Sequence, residues 1–237
     1  MKKLENITID LYGDGIGQVS LVSHVGTDKT IVNAARVSFG NDVDGDLTSR
    51  DKKLIKYLIN HKHTSTMEHN SATFIFEVPM YVARQHMRHR TWAYNEISRR
   101  YTEVDMKFYS PLEFRTQHKS NRQASNAEVL INPIIDNDLP DFKASDLVRN
   151  HHVDSLRLFN RLTSEGVCRE QARGVLPQNL YTRYYGTVNL SNLLKFIDLR
   201  MHEGAQWEIQ EVAKACLRIA TELWPVTVAA YKEVRGK

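Results

Sequence analysis

Five arginines stand between positions 84 and 100, at Arg84, Arg88, Arg90, Arg99 and Arg100, with no lysine and a single acid, Glu96. A guanidinium is a planar fork of donors that meets phosphate oxygens two at a time and stays charged at every relevant pH. Forks without lysines point to phosphate geometry more than to a generic cationic surface. Three uses compete. One is a solvated helical face paired with acids from elsewhere. A second is a nucleic-acid surface on which Trp92, Tyr94 and Tyr101 stack bases between the arginines. The third is a pocket for a small phosphorylated ligand, with Ser98 as hydroxyl donor and Glu96 as acceptor for an N–H. The single local acid weakens the first use. Charge balance weakens the second: the 237 residues hold 32 Lys+Arg against 28 Asp+Glu, and the whole formal charge of +4 resides in this window, so no extended basic track exists.

Other chemistry-bearing residues are fewer. Arg200 projects from the middle of an apolar stripe (Leu190, Leu193, Ile197) and is either a snorkelling arginine near a helix C-terminus or a charge aimed into a ligand pocket. His61, His63 and His69 near Glu68, or His86 and His89 one turn apart, suggest metal ligation; the helical pair lacks an evident third ligand, which favours structural histidines. GDGIG (13–17) does not make the GxGxxG of a dinucleotide loop, and a calcium loop from Asp42 fails because Leu47 and Lys53 stand where Gly and Glu are required. Cys168 and Cys216 are too few for a disulfide framework or a four-cysteine zinc site and make a reducing cytoplasm the default location. The N-terminus lacks the apolar core of a signal peptide, and no stretch approaches the ~20 apolar residues of a membrane span.

These side chains need a scaffold. Alternation predicts strands over 4–12 and 19–25 around the Gly-rich turn, and again at SATFIFEVP (71–79) through Phe74, Phe76 and Val78. Helices are predicted over 27–36 and 50–60. A further helix begins at Pro79, its Met80, Ala83 and Met87 forming a stripe while Gln85, Arg88 and His89 share another face. Residues 116–146 are polar and aperiodic, a surface excursion. The last ninety residues read as helices: 146–165, a short one near Cys168, 190–202 and 206–223, with Cys216 buried mid-stripe in the last. With no repeat and no linker, one domain over 1–237 is expected.

The window RHRTWAYNEIS (88–98) is Arg-His-Arg, seven residues, then Ser, and resembles the signature of the flavin-dependent thymidylate synthases. AARVSF (34–39), the His63 to His69 stretch, VARQHMRHR (82–90), ISRRY (97–101), REQARGVLPQNLYTRYYGTVN (169–189) and LRMHEGAQWEIQ (199–210) are similar to that family in order and spacing, and the similarity covers most of the chain except 40–50 and 116–146. The resemblance implies an α+β fold, an antiparallel or mixed sheet flanked by helices. It implies conversion of dUMP to dTMP with 5,10-methylenetetrahydrofolate as carbon donor and NADPH as reductant through bound FAD. It also implies a homotetramer whose active sites form where subunits meet.

Carried over residue by residue, the resemblance assigns Gln85, Arg88, Glu96, Ser98, Arg99 and Arg100 to dUMP, with Arg173 reaching the phosphate from a neighbouring subunit. Arg200 would ionise or polarise N3 of the uracil, a role in which a fixed cation pushes electron density toward C5. FAD would meet Ser65 (usually Thr in the family), Arg88, His89, Arg90, Glu96 and, from another subunit, Asn189. Glu68 either contacts flavin or caps the following strand. Ser191 and Lys195 are departures, since relatives often carry Arg and then His or Asn there. A Cys nucleophile, which the unrelated thymidylate synthases use, is not required. The rival function is a nucleic-acid-binding module built on 84–101.

Overall fold

The computed structural model describes residues 7–41, 44–135 and 142–236. The expected strand residues 4–6, Asp42 and Val43 of the rejected calcium loop, and 136–141 of the excursion lie outside the described residues. Strands Thr8–Asp10 (β1) and Gln18–Val25 (β2) form the expected hairpin. Its turn is built on aspartates: Asp10 accepts from Gly13 N at 2.5 Å and Gly15 N at 3.1 Å, and both glycines adopt the positive φ that other residues resist. Two helices follow, Asp28–Arg36 (α1) and Ser49–Asn60 (α2). Ser71–Pro79 (β3) then leads into Met80–His86 (α3) and Ala93–Glu96 (β4).

Three elements correct the reading of the second half. Residues 116–146 are not structureless: Phe114–Gln117 (β5) and Ser125–Ile131 (β6) pair as a separate antiparallel hairpin before Ala144–Ser164 (α4) and the single turn Arg169–Ala172 (α5). The last ninety residues are not all helical, because Tyr181–Asn189 (β7) precedes Leu190–Arg200 (α6) and Trp207–Leu223 (α7). A final helix, Pro225–Arg235 (α8), carries Pro at its first position and Gly236 at φ +65° after its end.

The main sheet is antiparallel throughout, in the order β1-β2-β3-β7-β4, so the unpredicted β7 lies between β3 and the arginine-flanked β4. One face is dry. Phe74, Phe76 and Val78 of β3 and Tyr184 and Val188 of β7 pack with Phe196 of α6 and with Ile209, Val212, Cys216 and Ile219 of α7. Burying each large side chain contributes about 1.5–3 kcal/mol. Phe76 stacks on Tyr184 with ring centroids 5.0 Å apart. Gly186 has no side chain because an added Cβ would stand 2.8 Å from the Phe76 ring and 3.2 Å from Trp92. The other face carries Thr73, Glu77, Arg183, Tyr185 and Thr187, half-buried or exposed. Among the described residues no helix is long and apolar enough to cross a membrane, and no three His, Cys, Asp or Glu residues are grouped to hold a metal ion.

Candidate active site

The arginine segment is not one helix. Pro79 ends β3 and caps α3, which stops at His86, so Arg88, His89 and Arg90 occupy the turn that follows. The helix ends there because its carbonyls find partners outside it: the Tyr94 hydroxyl donates to the His86 carbonyl at 2.9 Å, and His89 N donates to the same oxygen at 2.9 Å. The face turned inward is Val82, Ala83 and His86; Met80 and Met87 of the expected stripe are only half-buried. His86 is fully buried among Phe76, Trp92 and Phe196, with Nδ1 2.8 Å from the Tyr184 hydroxyl. Burial, then the neighbouring His89 and Arg200, push its pKa well below the ordinary histidine range, as a core histidine requires.

Two clusters collect the chemistry. The first is a cleft of about 550 Å³ lined by Arg84, Glu96, Ser98, Arg99, Glu170, Arg173, Gly174 and Thr182, among others. Glu96 Oε1 accepts from Thr182 Oγ1 at 2.6 Å, which fixes the acid against β7. Arg99 is committed to its own loop: Nη1 donates to the Val104 carbonyl at 2.5 Å, and Nη2 lies 3.4 Å from the Asp105 and Tyr181 carbonyls. Arg100 pairs with Glu170 at 3.3 Å. Arg84 and Arg173, by contrast, have no ion-pair partner among the described residues and line the same cleft. Arg84 belongs to the arginine window but is not among the ligand residues that the resemblance assigns; its signal in the sequence is its membership of that cluster of five arginines. Within one chain, Arg173 and Ser98 line the same cleft.

The second cluster contains Gln85, Arg88, His89 and Arg200, none of which lines the first cleft. Arg200 closes α6 behind fully buried Leu190, Leu193 and Ile197. Its Nε donates to His89 Nε2 at 3.0 Å and its Nη2 to the Gln85 carbonyl at 3.0 Å. It pairs with no carboxylate among the described residues, and burial followed by the nearby Arg88 charge lowers its pKa. His89 is its acceptor because the ring is neutral: burial and then Arg200 bring its pKa down to about 4. An uncompensated, partly desolvated cation held by two neutral acceptors is prepared for an anionic or anion-developing ligand.

The remaining candidates scatter over neighbouring surfaces. Ser65 and Glu68 are exposed on a short turn at 64–67 and its edge. Arg88 and Arg90 are exposed. Asn189 caps α6 through Asn192 N at 2.9 Å, and Lys195 on that helix is exposed. Ser191 is 3% exposed, and its hydroxyl finds no hydrogen-bond partner among the described residues. Trp92 is 5% exposed and Tyr94 is half-buried, so of the three aromatics offered as stacking platforms only Tyr101, 77% exposed, presents its ring to solvent, with the Arg100 guanidinium 5.8 Å from its centroid. That removes the main support for a nucleic-acid surface. Cys216 is buried, which pushes its thiol pKa up, while Cys168 is exposed at the start of α5.

The family model for thymidylate synthase complementing protein matches residues 20–226. A flavin-dependent thymidylate synthase from Thermus thermophilus is 43% identical over 218 residues, covering 92% of this chain and 76% of its own length. The chain belongs to the flavin-dependent thymidylate synthase family. Another member, from Thermosipho africanus, is 38% identical over 215 residues, 91% of this chain and 90% of the relative. Among solved structures, the UMP/dUMP methylase PolB from Streptomyces cacaoi bound with 5-Br dUMP superposes with a TM-score of 0.78 at 33% identity, covering 95% of this chain and 97% of that one. These likenesses agree with the α+β architecture, and membership makes the protein a flavin-dependent methyltransferase. The flavin-dependent synthase carries its Arg-His-Arg signature here in a turn, between a core histidine and an edge strand.

Proposed function

We propose that this protein methylates dUMP to dTMP, taking the one-carbon unit from 5,10-methylenetetrahydrofolate and reducing equivalents from NADPH through FAD. The observation that carries the reading is Arg200, a cation without a carboxylate partner among the described residues, anchored by His89 and the Gln85 carbonyl beside the signature turn. In this role it lowers the cost of negative charge at the N3/O4 edge of uracil and raises electron density at C5. Glu96, Ser98, Arg99, Arg100 and Arg173 hold the nucleotide at the first cleft: Arg173 and Arg84 meet the phosphate, Ser98 adds a hydroxyl, and Arg99 shapes the loop that presents them.

Gln85, Arg88 and Arg200 do not line the first cleft of their own chain, which supports active sites shared between subunits of a homotetramer: the phosphate bound by one chain, the base met by Gln85, Arg88 and Arg200 of another. The donor set fits FAD, whose diphosphate and reduced ring are anionic. The exposed Ser65, Arg88, Arg90 and Lys195, with His89, Glu68, Glu96, Asn189 and Ser191, would hold it, and bound flavin supplies the redox chemistry of the reaction. The two unpaired thiols support a cytoplasmic location. The test is tritium release from [5-³H]dUMP with methylenetetrahydrofolate and NADPH, alongside the visible absorbance of the purified protein. Flavin bands and folate-dependent release are expected; a protein that stays colourless after FAD addition and releases no tritium refutes the proposal.

A further inference from the structure

Glu208, 3% exposed in the first turn of α7, heads a chain of polar side chains that runs from the β5–β6 hairpin to Arg200. Arg115 of β5 donates from Nη2 to Glu208 Oε1 at 2.5 Å and from Nε to Ser125 Oγ at 3.0 Å, with its guanidinium carbon 4.9 Å from the Trp207 ring centroid. The other carboxylate oxygen, Oε2, accepts from Gln206 Nε2 at 2.9 Å. Gln206 Oε1 accepts from Gln85 Nε2, and the main-chain carbonyl of Gln85 accepts from Arg200.

A carboxylate only accepts, whereas a side-chain amide has a donor end and an acceptor end that a half-turn exchanges. Glu208 therefore obliges Gln206 to present its NH₂ group. The Gln206 carbonyl then faces Gln85 and obliges that amide, too, to present NH₂. Orientation passes down two amides, leaving Oε1 as the end of Gln85 not used in the chain. We infer that Glu208 is a positioning residue of the nucleotide site, setting which end of the Gln85 amide is offered to dUMP, with Arg115 of the hairpin holding the carboxylate in place. This gives residues 114–131 a part in the site that they do not enter. The inference rests on the reading of Gln85 as a dUMP residue.

Glu208→Gln keeps size and shape but ends in a group that can donate, so both amides are released to rotate. Expected for the FAD-loaded protein is a Kd for dUMP about tenfold weaker, the size of one misoriented hydrogen bond, with kcat at saturating dUMP within about twofold of the parent. The double variant Glu208→Gln with Gln206→Glu moves the carboxylate one step along the chain. The carboxylate introduced at position 206 accepts from the amide introduced at position 208 and from Gln85, which restores the Gln85 orientation. Its Kd should return to within about threefold of the parent, a rescue that a merely structural role would not give. Should Glu208→Gln fail to fold, Gln206→Met, at a half-buried loop position, cuts the chain while leaving the Arg115–Glu208 pair, and must show the same weakening. Gln85→Met tests the premise separately: an unchanged Kd removes Gln85 from the dUMP site and the inference with it. A weakened Gln85→Met beside an unchanged Glu208→Gln, or a double variant as impaired as the single one, overturns the inference alone.

Discussion

Replacing Arg200 by methionine keeps the apolar stem at the end of α6 and removes the charge. Two hydrogen bonds go with it, to His89 Nε2 and to the Gln85 carbonyl, each at 3.0 Å and each contributing about 1 kcal/mol. Against that loss, a partly desolvated cation beside Arg88 is relieved. The net change in stability should stay within about 1–2 kcal/mol, a fall in Tm of a few degrees for a chain of this size. Catalysis should suffer far more. A unit charge about 4 Å from a developing anion at an effective dielectric near 20 is worth about 4 kcal/mol, or roughly a thousandfold in kcat. Tritium release from [5-³H]dUMP reads turnover, visible absorbance reads flavin, and a thermal melt reads folding. Arg200→Lys keeps the charge but cannot reach both acceptors with one fork, and should fall between the two, near a tenfold loss. Folded, flavin-loaded Arg200→Met with kcat within tenfold of the parent refutes the assignment.

Arg200 does not line the Arg173 cleft of its own chain, and if the site is shared as proposed, co-assembling inactive Arg173→Ala with inactive Arg200→Met chains should restore about a quarter of parental activity, the share of sites receiving two intact halves; no recovery after refolding as a mixture counts against shared sites. Stability should fall in acid. His89 has a pKa of about 4 in the folded chain against about 6.5 unfolded, so the unfolded state binds more protons between those values. Its contribution is therefore complete above about pH 6.5 and is lost toward pH 4. About 2 kcal/mol is at stake once the full value is roughly halved for exposure; urea midpoints at pH 7 and 4.5 should differ less in His89→Asn than in the parent, and an equal difference in both would contradict the shift. Gly186→Ala should cost about 1–3 kcal/mol by crowding Phe76 and Trp92, and a melting temperature within a degree of the parent would show that the rings yield freely.

What can be read from residue order alone follows the kind of signal each element gives. The stripe of α7 and the alternation of β3 are strong aliphatic and aromatic patterns, and both appear as expected. The strand β7 is hidden because its inward positions are Tyr184, Gly186 and Val188, so its period of two is broken by a glycine whose reason is cross-strand crowding. The α3 pattern runs past the true end of the helix because what stops it, the Tyr94 hydroxyl, comes from a strand eight residues away. For the site, the clustered arginines and the misplaced Arg200 are visible as charges without local partners. Their division into two clusters is not, since it depends on β4 pairing with β7 while α6 returns Arg200 to the turn after α3. Gln206, Glu208 and Arg115 give no signal because each looks like an ordinary polar surface residue until a partner more than ninety positions away is known.

The engagement of Arg99 bears on the heat and entropy of ligand capture. By bonding to the carbonyls of Val104, Asp105 and Tyr181, with Tyr101 N and Thr102 N also donating to the Ser98 carbonyl, this arginine freezes the segment 98–105 before any nucleotide arrives. Ordering such a loop at the moment of association would cost about 1–2 kcal/mol per residue. Here that ordering is completed during folding, and an incoming phosphate meets donors already in place.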